Sequence, residues 1–320
     1  MGQIPFIPTE FMESHTDFKQ LIHALKKGFA ESAVETPMRH HHDYANPKES
    51  NDSTLLLMPS WEAGNDIGVK VVTVNPNNGK YDLPSIQGTY LYMDGHKGMI
   101  RAILDAKALT AKRTAAASAL AAYYLAKKDA SSMLMLGTGA LSINLIKAHT
   151  SIRPIKKVFV WGRNFNKAKL IAAQFNQRNI EVIAIENYVE TISNVDIVSC
   201  ATLSKEPLVF GKILKEGQHL DLVGAYKKDM READDEAVLR SSVFIDTFQG
   251  GLKESGDIVI PLKKEILNEA DIKADLFGLC SGSHKGRQSV SEITFFKSVG
   301  HASEDLIAAR YYYGQWKGVM

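Results

Sequence analysis

Met133-Leu134-Met135-Leu136-Gly137-Thr138-Gly139-Ala140-Leu141-Ser142 is the stretch that decides the fold of this 320-residue chain. Four apolar residues suited to a buried strand run straight into a Gly-x-Gly turn. Helical spacing follows at Leu141, Leu145, Ile146 and His149. A strand, a turn and a helix in this order are the setting in which a glycine-rich loop holds a pyrophosphate. Gly137 allows the tight turn and Gly139 lets the backbone approach the phosphates. The free N–H groups at the start of the helix then face the anion. Ser142 stands where a third Gly or Ala is usual, and it is still small enough for close helix–strand packing.

The next segment bears on the nucleotide. Lys157–Trp161 reads as the second strand and Phe165–Phe175 as the second helix. A fold that prefers NAD places Asp or Glu at the tip of that strand, on the ribose 2′-hydroxyl. Here the tip is Gly162-Arg163-Asn164, with Lys167 one turn on. From Ala130 to Ile180 there is no carboxylate, against eight Lys and Arg residues, a surface that attracts a 2′-phosphate. The expectation is NADP(H) in preference to NAD(H).

Strand candidates continue at Glu181–Ile185, Asp196–Ala201, His219–Val223 and Val243–Asp246, after a first strand at Ser132–Leu136. Helices are expected at Ala140–His149, Asn187–Ser193 and near Asp234–Arg240. This alternation predicts an α/β fold with a doubly wound parallel sheet, its ligand crevice at the carboxyl ends of the strands. Upstream, Ser53–Met58, Gly68–Val74, Thr89–Asp94 and Met99–Leu104 read as strands between Asn/Gly/Pro turns, the mark of a second, α+β domain. An Ala-rich helix, Thr110–Ala126, joins the two. A last helix, Ala302–Tyr313 with Ser303 as its cap, is expected to return to the first domain. The expected division is 1–125 with 302–320 as substrate and dimerisation domain, and 126–301 as dinucleotide-binding domain.

Composition narrows the class. The hydrophobic fraction of 45% and charged fraction of 23% are those of an ordinary globular protein, and a net charge of +2 favours neither nucleic acid nor an anionic membrane. Two cysteines, Cys200 and Cys280, have no metal-ligand spacing, and Cys200 ends an apolar run as a core residue would. The first residues lack a basic segment followed by an apolar one, and no apolar run reaches membrane-spanning length. A cytoplasmic protein is expected.

Three cations stand out as candidates to hold a substrate carboxylate: Arg39, Lys70 and Arg113. Lys70 interrupts the apolar run Ile67, Val69, Val71, Val72, Val74 and so projects from a sheet, while Arg113 lies on the Ala-rich helix. A bidentate Arg with a Lys in a screened site suits a carboxylate. From composition alone, a solvated face is the commoner place for each. His40-His41-His42-Asp43 invites a metal reading, but adjacent residues cannot all face one ion and no second ligand cluster follows. No metal is expected. His149, His284 and His301 are isolated in sequence and receive no role.

Taken together, these residues resemble the ornithine cyclodeaminase/μ-crystallin family. The likeness runs through Gly68-Val69-Lys70-Val71-Val72-Thr73-Val74, Leu83-Pro84-Ser85-Ile86-Gln87-Gly88 and Arg113-Thr114-Ala115-Ala116-Ala117-Ser118 to Leu136-Gly137-Thr138-Gly139. It resumes at Gly286-Arg287, Glu292-Ile293-Thr294, Phe296-Lys297-Ser298-Val299-Gly300 and Glu304-Asp305-Leu306. The resemblance implies a homodimer with a Rossmann domain and a separate substrate domain, acting on carbon–nitrogen bonds of amino or imino acids by hydride transfer with a nicotinamide. It places Arg39, Lys70 and Arg113 around the substrate carboxylate, with Arg113 and Thr114 also at the cofactor. By the same resemblance Gly137, Thr138, Gly139, Ala140 and Leu141 cradle the pyrophosphate. Arg163, Asn164 and Lys167 meet the adenosine phosphate, Ala201, Thr202 and Leu203 lie against the nucleotide, and Ser298 is near the nicotinamide.

One departure separates subfamilies. Cyclodeaminases resemble Gly-Ala-Asp after the strand ending at Val223, whereas this chain has Gly224-Ala225-Tyr226, and a phenol is a poor base at neutral pH. Met230-Arg231-Glu232 does not restore that carboxylate. The expected activity is therefore reduction of a cyclic imino acid, Δ1-pyrroline-2-carboxylate to L-proline or the six-ring analogue to L-pipecolate, with Lys70 orienting the substrate and relaying the proton. The alternatives are ornithine cyclodeaminase, an alanine-type amino-acid dehydrogenase and, of a different class, a non-catalytic NADPH-dependent binding protein.

Overall fold

The computed structural model describes residues 3–175 and 179–319. The chain forms two compact units, Met1–Arg113 with His301–Met320, and Thr114–Gly300.

The first unit is built on a six-stranded sheet: β1 (Phe6–Ile7), β2 (His40–Tyr44), β3 (Ser53–Glu62), β4 (Asp66–Val74), β5 (Ile86–Asp94) and β6 (Ile100–Asp105), in the spatial order β1-β6-β5-β4-β3-β2. Strands β2 to β6 pair antiparallel, and β1 joins β6 in parallel. Strand alternation sends Met58, Ser60, Gly68, Lys70, Tyr90, Tyr92, Ala102 and Leu104 to one buried face. The helix Ala302–Val319 covers this face, and the helix Phe18–Glu31 packs on that helix in turn. A Cβ on Gly28 would lie 2.3 Å from Ile307 Cδ1, so only glycine permits this approach. The opposite face carries Leu55, Leu57, Trp61, Ile67, Val69, Val71, Leu91 and Ile103, all half-exposed.

The second unit holds seven strands: β7 (Ser132–Leu136), β8 (Lys157–Trp161), β9 (Glu181–Ala184), β10 (Ile197–Cys200), β11 (His219–Leu222), β12 (Ser241–Ile245) and β13 (Ile293–Lys297). Their order is β12-β13-β11-β10-β7-β8-β9 and every pair is parallel. This is the doubly wound α/β arrangement, with the order reversing between β7 and β10. Leu134, Leu136, Val198, Cys200, Leu220, Leu222, Ile245 and Phe295 form its core, fully buried as expected of strands covered on both faces.

Several particulars differ from the sequence reading. The helix Ala106–Leu125 is divided inside its length at 113/114, not at its end. Lys112 and Arg113 on its first turns pair with Glu13, Glu304 and Asp305, while carbonyls of Ala122, Tyr123 and Ala126 near its end accept from Arg153. Ser303 does not cap the last helix but lies in its first turn, 2.7 Å from His301 Nδ1. His149 is not isolated: its Nε2 is 3.1 Å from Asp221 Oδ2, deep in the parallel sheet's core, where Ser199 Oγ also donates to Asp221. Strands β1, β2 and β13 and the helices Thr9–His15 and Phe18–Glu31 had not been read from the sequence.

Candidate active site

Two constellations, one in each unit, are the candidates for the chemistry. The first lies at the carboxyl ends of β7, β8 and β10. Gly137 has φ of +119°, and a Cβ there would lie 2.5 Å from Ala201 O, so the turn tolerates only glycine on both counts. Nothing lies within 4 Å of where a Cβ on Gly139 would be, and Gly139 lines a cavity of about 1040 Å³. The helix Ser142–Ile152 begins without a side-chain cap, so its positive end faces the loop where an anion would sit. Ser142 Oγ donates to Gly137 O at 2.9 Å and locks the loop to the helix. The cavity is also lined by Thr138, Arg163, Asn164, Lys167, Ala201, Thr202 and Leu203. Arg163 and Lys167 are exposed and pair with no carboxylate among the described residues. Asn164 caps the helix Phe165–Ala173, its side chain accepting from Lys167 N. These features fit a dinucleotide: a glycine cradle with open space over it and unpaired cations at the adenosine end.

Ala140 and Leu141 continue the loop into the helix without lining the cavity, and Thr114 sits buried on the helix Ala106–Leu125. Ser298 is buried just after β13, its Oγ donating to Asp246 at 3.1 Å. The same carboxylate oxygen accepts from Val299 N and Gly300 N at 2.7 Å each, which fixes the turn that carries Ser298. Sequence reasoning missed Trp161, Gly162 and Lys205 as cavity residues. A Cβ on Gly162 would strike Thr138 Cγ2 at 2.6 Å, so the Gly after the second strand is a local signal of this packing.

It also missed a buried charged cluster under the turns that follow β10 and β11. Glu232 Oε1 accepts from Thr202 N (2.7 Å) and Thr202 Oγ1 (3.0 Å), and Oε2 accepts from Gly224 N (2.8 Å) and Ala225 N (3.1 Å). Lys297 Nζ lies 3.5 Å from Glu232 and 3.0 Å from Asp257, and all three side chains are fully buried. Asp257 in turn accepts from Glu232 N and Ala233 N. Burial works against the Lys297 ammonium, but Asp257 and Glu232 more than offset it and hold its pKa above the usual range.

The second constellation is in the first unit. Met58 pairs with Lys70 and Lys70 with Tyr90, and His40 pairs with Leu57. Arg39, one residue before His40, therefore falls in the row of Met58 and Lys70, on the same face of the sheet. Lys70 and Arg113 are only 3% and 4% exposed, which rules out the solvated face for both. Lys70 Nζ is 2.7 Å from Asp305 Oδ2 and 3.5 Å from Thr110 Oγ1. Arg113 Nε donates to Asp305 Oδ1 at 2.9 Å and its Nη1 to Glu304 Oε2 at 2.7 Å. Burial pushes the Lys70 ammonium down to about 8; Asp305 opposes this, while the charges of Arg113 and Arg39 lower it further. Burial also works against the Arg113 guanidinium, but Asp305 and Glu304 outweigh it and raise its pKa. Asp305 is held low by Arg113 and Lys70 despite its burial. Glu304 and Asp305 had no role in the sequence reading, although adjacent acids at the start of an otherwise buried helix are a visible signal.

The histidine run lies on edge strand β2. His40 and His42 share one face and His41 and Asp43 the other, so the alternation separates them. No group of three metal-ligating side chains occurs among the described residues. No helix of the described residues is long and apolar enough to cross a membrane.

A chain with one doubly wound dinucleotide-binding unit and one smaller unit holding a buried Lys–Arg–carboxylate cluster is a two-domain protein of the nicotinamide-enzyme class. More particularly, the chain belongs to the ornithine cyclodeaminase/mu-crystallin family, which it matches over residues 7–319. An uncharacterized protein of Schizosaccharomyces pombe is 41% identical over 96% of both chains. The Δ1-pyrroline-2-carboxylate reductase of Colwellia psychrerythraea is 35% identical over 95% of this chain and 96% of its own. Among solved structures, the Thermococcus litoralis Δ1-pyrroline-2-carboxylate reductase in complex with NADH and L-proline superposes with a TM-score of 0.91, at 33% identity over 98% of each chain.

Proposed function

We propose that this protein reduces a cyclic imino acid with a nicotinamide cofactor, taking Δ1-pyrroline-2-carboxylate to L-proline, and the six-ring analogue to L-pipecolate. The observation that carries the reading is the buried cluster in the first unit. Lys70 and Arg113 lie buried against Glu304 and Asp305, and the charge of the half-exposed Arg39 is felt at Lys70, so the three cations together suit a substrate carboxylate. Relatives named Δ1-pyrroline-2-carboxylate reductase, and the Thermococcus litoralis protein with its NADH and L-proline, support the same chemistry.

Reduction of a cyclic imine needs a hydride at carbon and a proton at nitrogen. A bound nicotinamide would supply the hydride. Arg39 and Arg113 hold the carboxylate, and Lys70, with its pKa brought down to about 8, keeps a proton it can release near neutral pH. Tyr226, in place of an aspartate, fits a reductase that has no ammonia to eliminate and no water to activate.

Two finer readings go with it. The unpaired Arg163 and Lys167 at the adenosine end favour NADP(H) over NAD(H). The half-exposed apolar face of the six-stranded sheet is larger than the scattered apolar residues of a monomer's surface, and a second copy of this chain covers it in a homodimer. The test of the activity is NADPH consumption with Δ1-pyrroline-2-carboxylate and identification of the product. Proline supports the reading, and absence of turnover with either ring size removes it.

A further inference from the structure

We propose that Glu232 is a positioning residue for the nicotinamide end of the cofactor, and that the net negative charge it forms with Asp257 and Lys297 favours the oxidised, cationic ring over the reduced, neutral one. The inference rests on reading the second unit as a nicotinamide-nucleotide site.

The argument begins with place. In a doubly wound sheet the two halves of a dinucleotide lie on either side of the strand-order reversal, over the carboxyl ends of the strands. Arg163 and Lys167 follow β8 and mark the adenosine half. The nicotinamide half then falls over β10 and β11. The turns after these two strands are the ones Glu232 binds, through Thr202 on one side and Gly224 and Ala225 on the other. A Cβ on Gly224 would lie 2.1 Å from Thr202 N, so the two turns are in direct contact with the carboxylate clamped beneath them.

Charge comes next. Burial and the neighbouring Asp257 raise the pKa of Glu232, but both its oxygens receive N–H and O–H donors with Lys297 as a further cation, an arrangement that favours the ionised carboxylate. Two carboxylates against one ammonium leave one negative charge, sealed from solvent and therefore weakly screened. A bound nicotinamide would gain one positive charge on giving up its hydride, and a fixed anion formed by Glu232, Asp257 and Lys297 near it would favour that charged state without reorganisation. The same anion makes oxidised cofactor bind more tightly relative to reduced cofactor.

The readout is the ratio of dissociation constants, Kd(NADP+)/Kd(NADPH), measured by calorimetry on the full chain. Glu232→Gln and Asp257→Asn each remove one negative charge and are expected to raise this ratio about three- to tenfold. Lys297→Gln removes the positive charge and is expected to lower it. A merely structural role moves both constants together and leaves the ratio fixed. Should Glu232→Gln fail to fold, the opposite shifts of Asp257→Asn and Lys297→Gln carry the test. An unchanged ratio in the folded variants, or shifts of the same sign in those two, overturns the inference while the nucleotide site stands. A wild-type protein that binds neither cofactor form overturns the site and the inference together.

Discussion

Lys70 and Arg113 share one carboxylate: Asp305 meets Lys70 Nζ with Oδ2 at 2.7 Å and Arg113 Nε with Oδ1 at 2.9 Å, all three side chains buried. One fixed anion thus holds two cations from a strand and a helix that are distant in sequence. Glu304 takes a second donor of Arg113 at 2.7 Å, so within this group two carboxylates stand against two cations.

Lys70 titrates at about 8 in the folded protein, so imine reduction is expected to fall as pH rises through that value and its proton is lost. Lys70→Ala is expected to lower kcat about 100-fold and to abolish this basic limb. Stability runs the other way. Between pH 8 and the ordinary lysine value of 10.5 the unfolded chain holds a proton that the folded chain has released, so this group's contribution to the unfolding free energy rises with pH. Parallel profiles of kcat/KM and of thermal midpoint from pH 7 to 10 separate the two effects. A loss of activity that follows a loss of fold would refute the assignment.

Arg39 and Arg113 differ in what their loss leaves behind. Arg39 is half-exposed, and Arg39→Met is expected to raise KM for the imino acid about tenfold or more with little change in melting. Arg113→Met leaves Glu304 without its guanidinium in the interior and is expected to cost roughly 3–5 kcal/mol of stability. Denaturant unfolding and steady-state kinetics on both variants distinguish the roles.

Arg163→Ala combined with Lys167→Ala is expected to weaken NADPH about 10- to 100-fold and to leave NADH nearly unchanged, since only the 2′-phosphate loses its partners. Equal losses with both cofactors would show that these residues serve the site some other way.

Val71 sits opposite Leu57 and Thr89 in the middle of the half-exposed sheet face. Val71→Glu puts a charge on the face proposed to meet a second copy, and sedimentation is expected to show a dimer for the wild type and a monomer for the variant. A wild-type monomer would remove the homodimer reading.

The parallel sheet was legible because buried strands and the Gly-Thr-Gly turn are local signals: Met133–Leu136 announces itself within ten residues. The omissions have different causes. Strand β13, Ile293-Thr294-Phe295-Phe296-Lys297, enters the sheet between β11 and β12, out of sequence order, and no periodicity reveals such a neighbour. Strand β2 is polar because it lies at an exposed edge, so His40–Tyr44 has no apolar alternation to read. The helix Phe18–Glu31 does carry a local signal, with Asp17 as cap and Leu21, Leu25 and Phe29 on one side. Within the site, the three cations were visible as residues, but their partners Glu304 and Asp305 lie about 190 positions from Arg113 and only folding pairs them. Glu232 was seen as a motif residue; its role as an acceptor for two separate turns depends on backbone N–H groups, which sequence does not display.

The most direct measurement is transfer of label. NADPH carrying deuterium at both C4 positions of the nicotinamide is incubated with the protein and Δ1-pyrroline-2-carboxylate, and the product is analysed by mass spectrometry and NMR. One deuterium at carbon 2 of proline is the expected result. Unlabelled product, or ammonia and proline formed from ornithine with no consumption of NADPH, would contradict imine reduction as the activity of this protein.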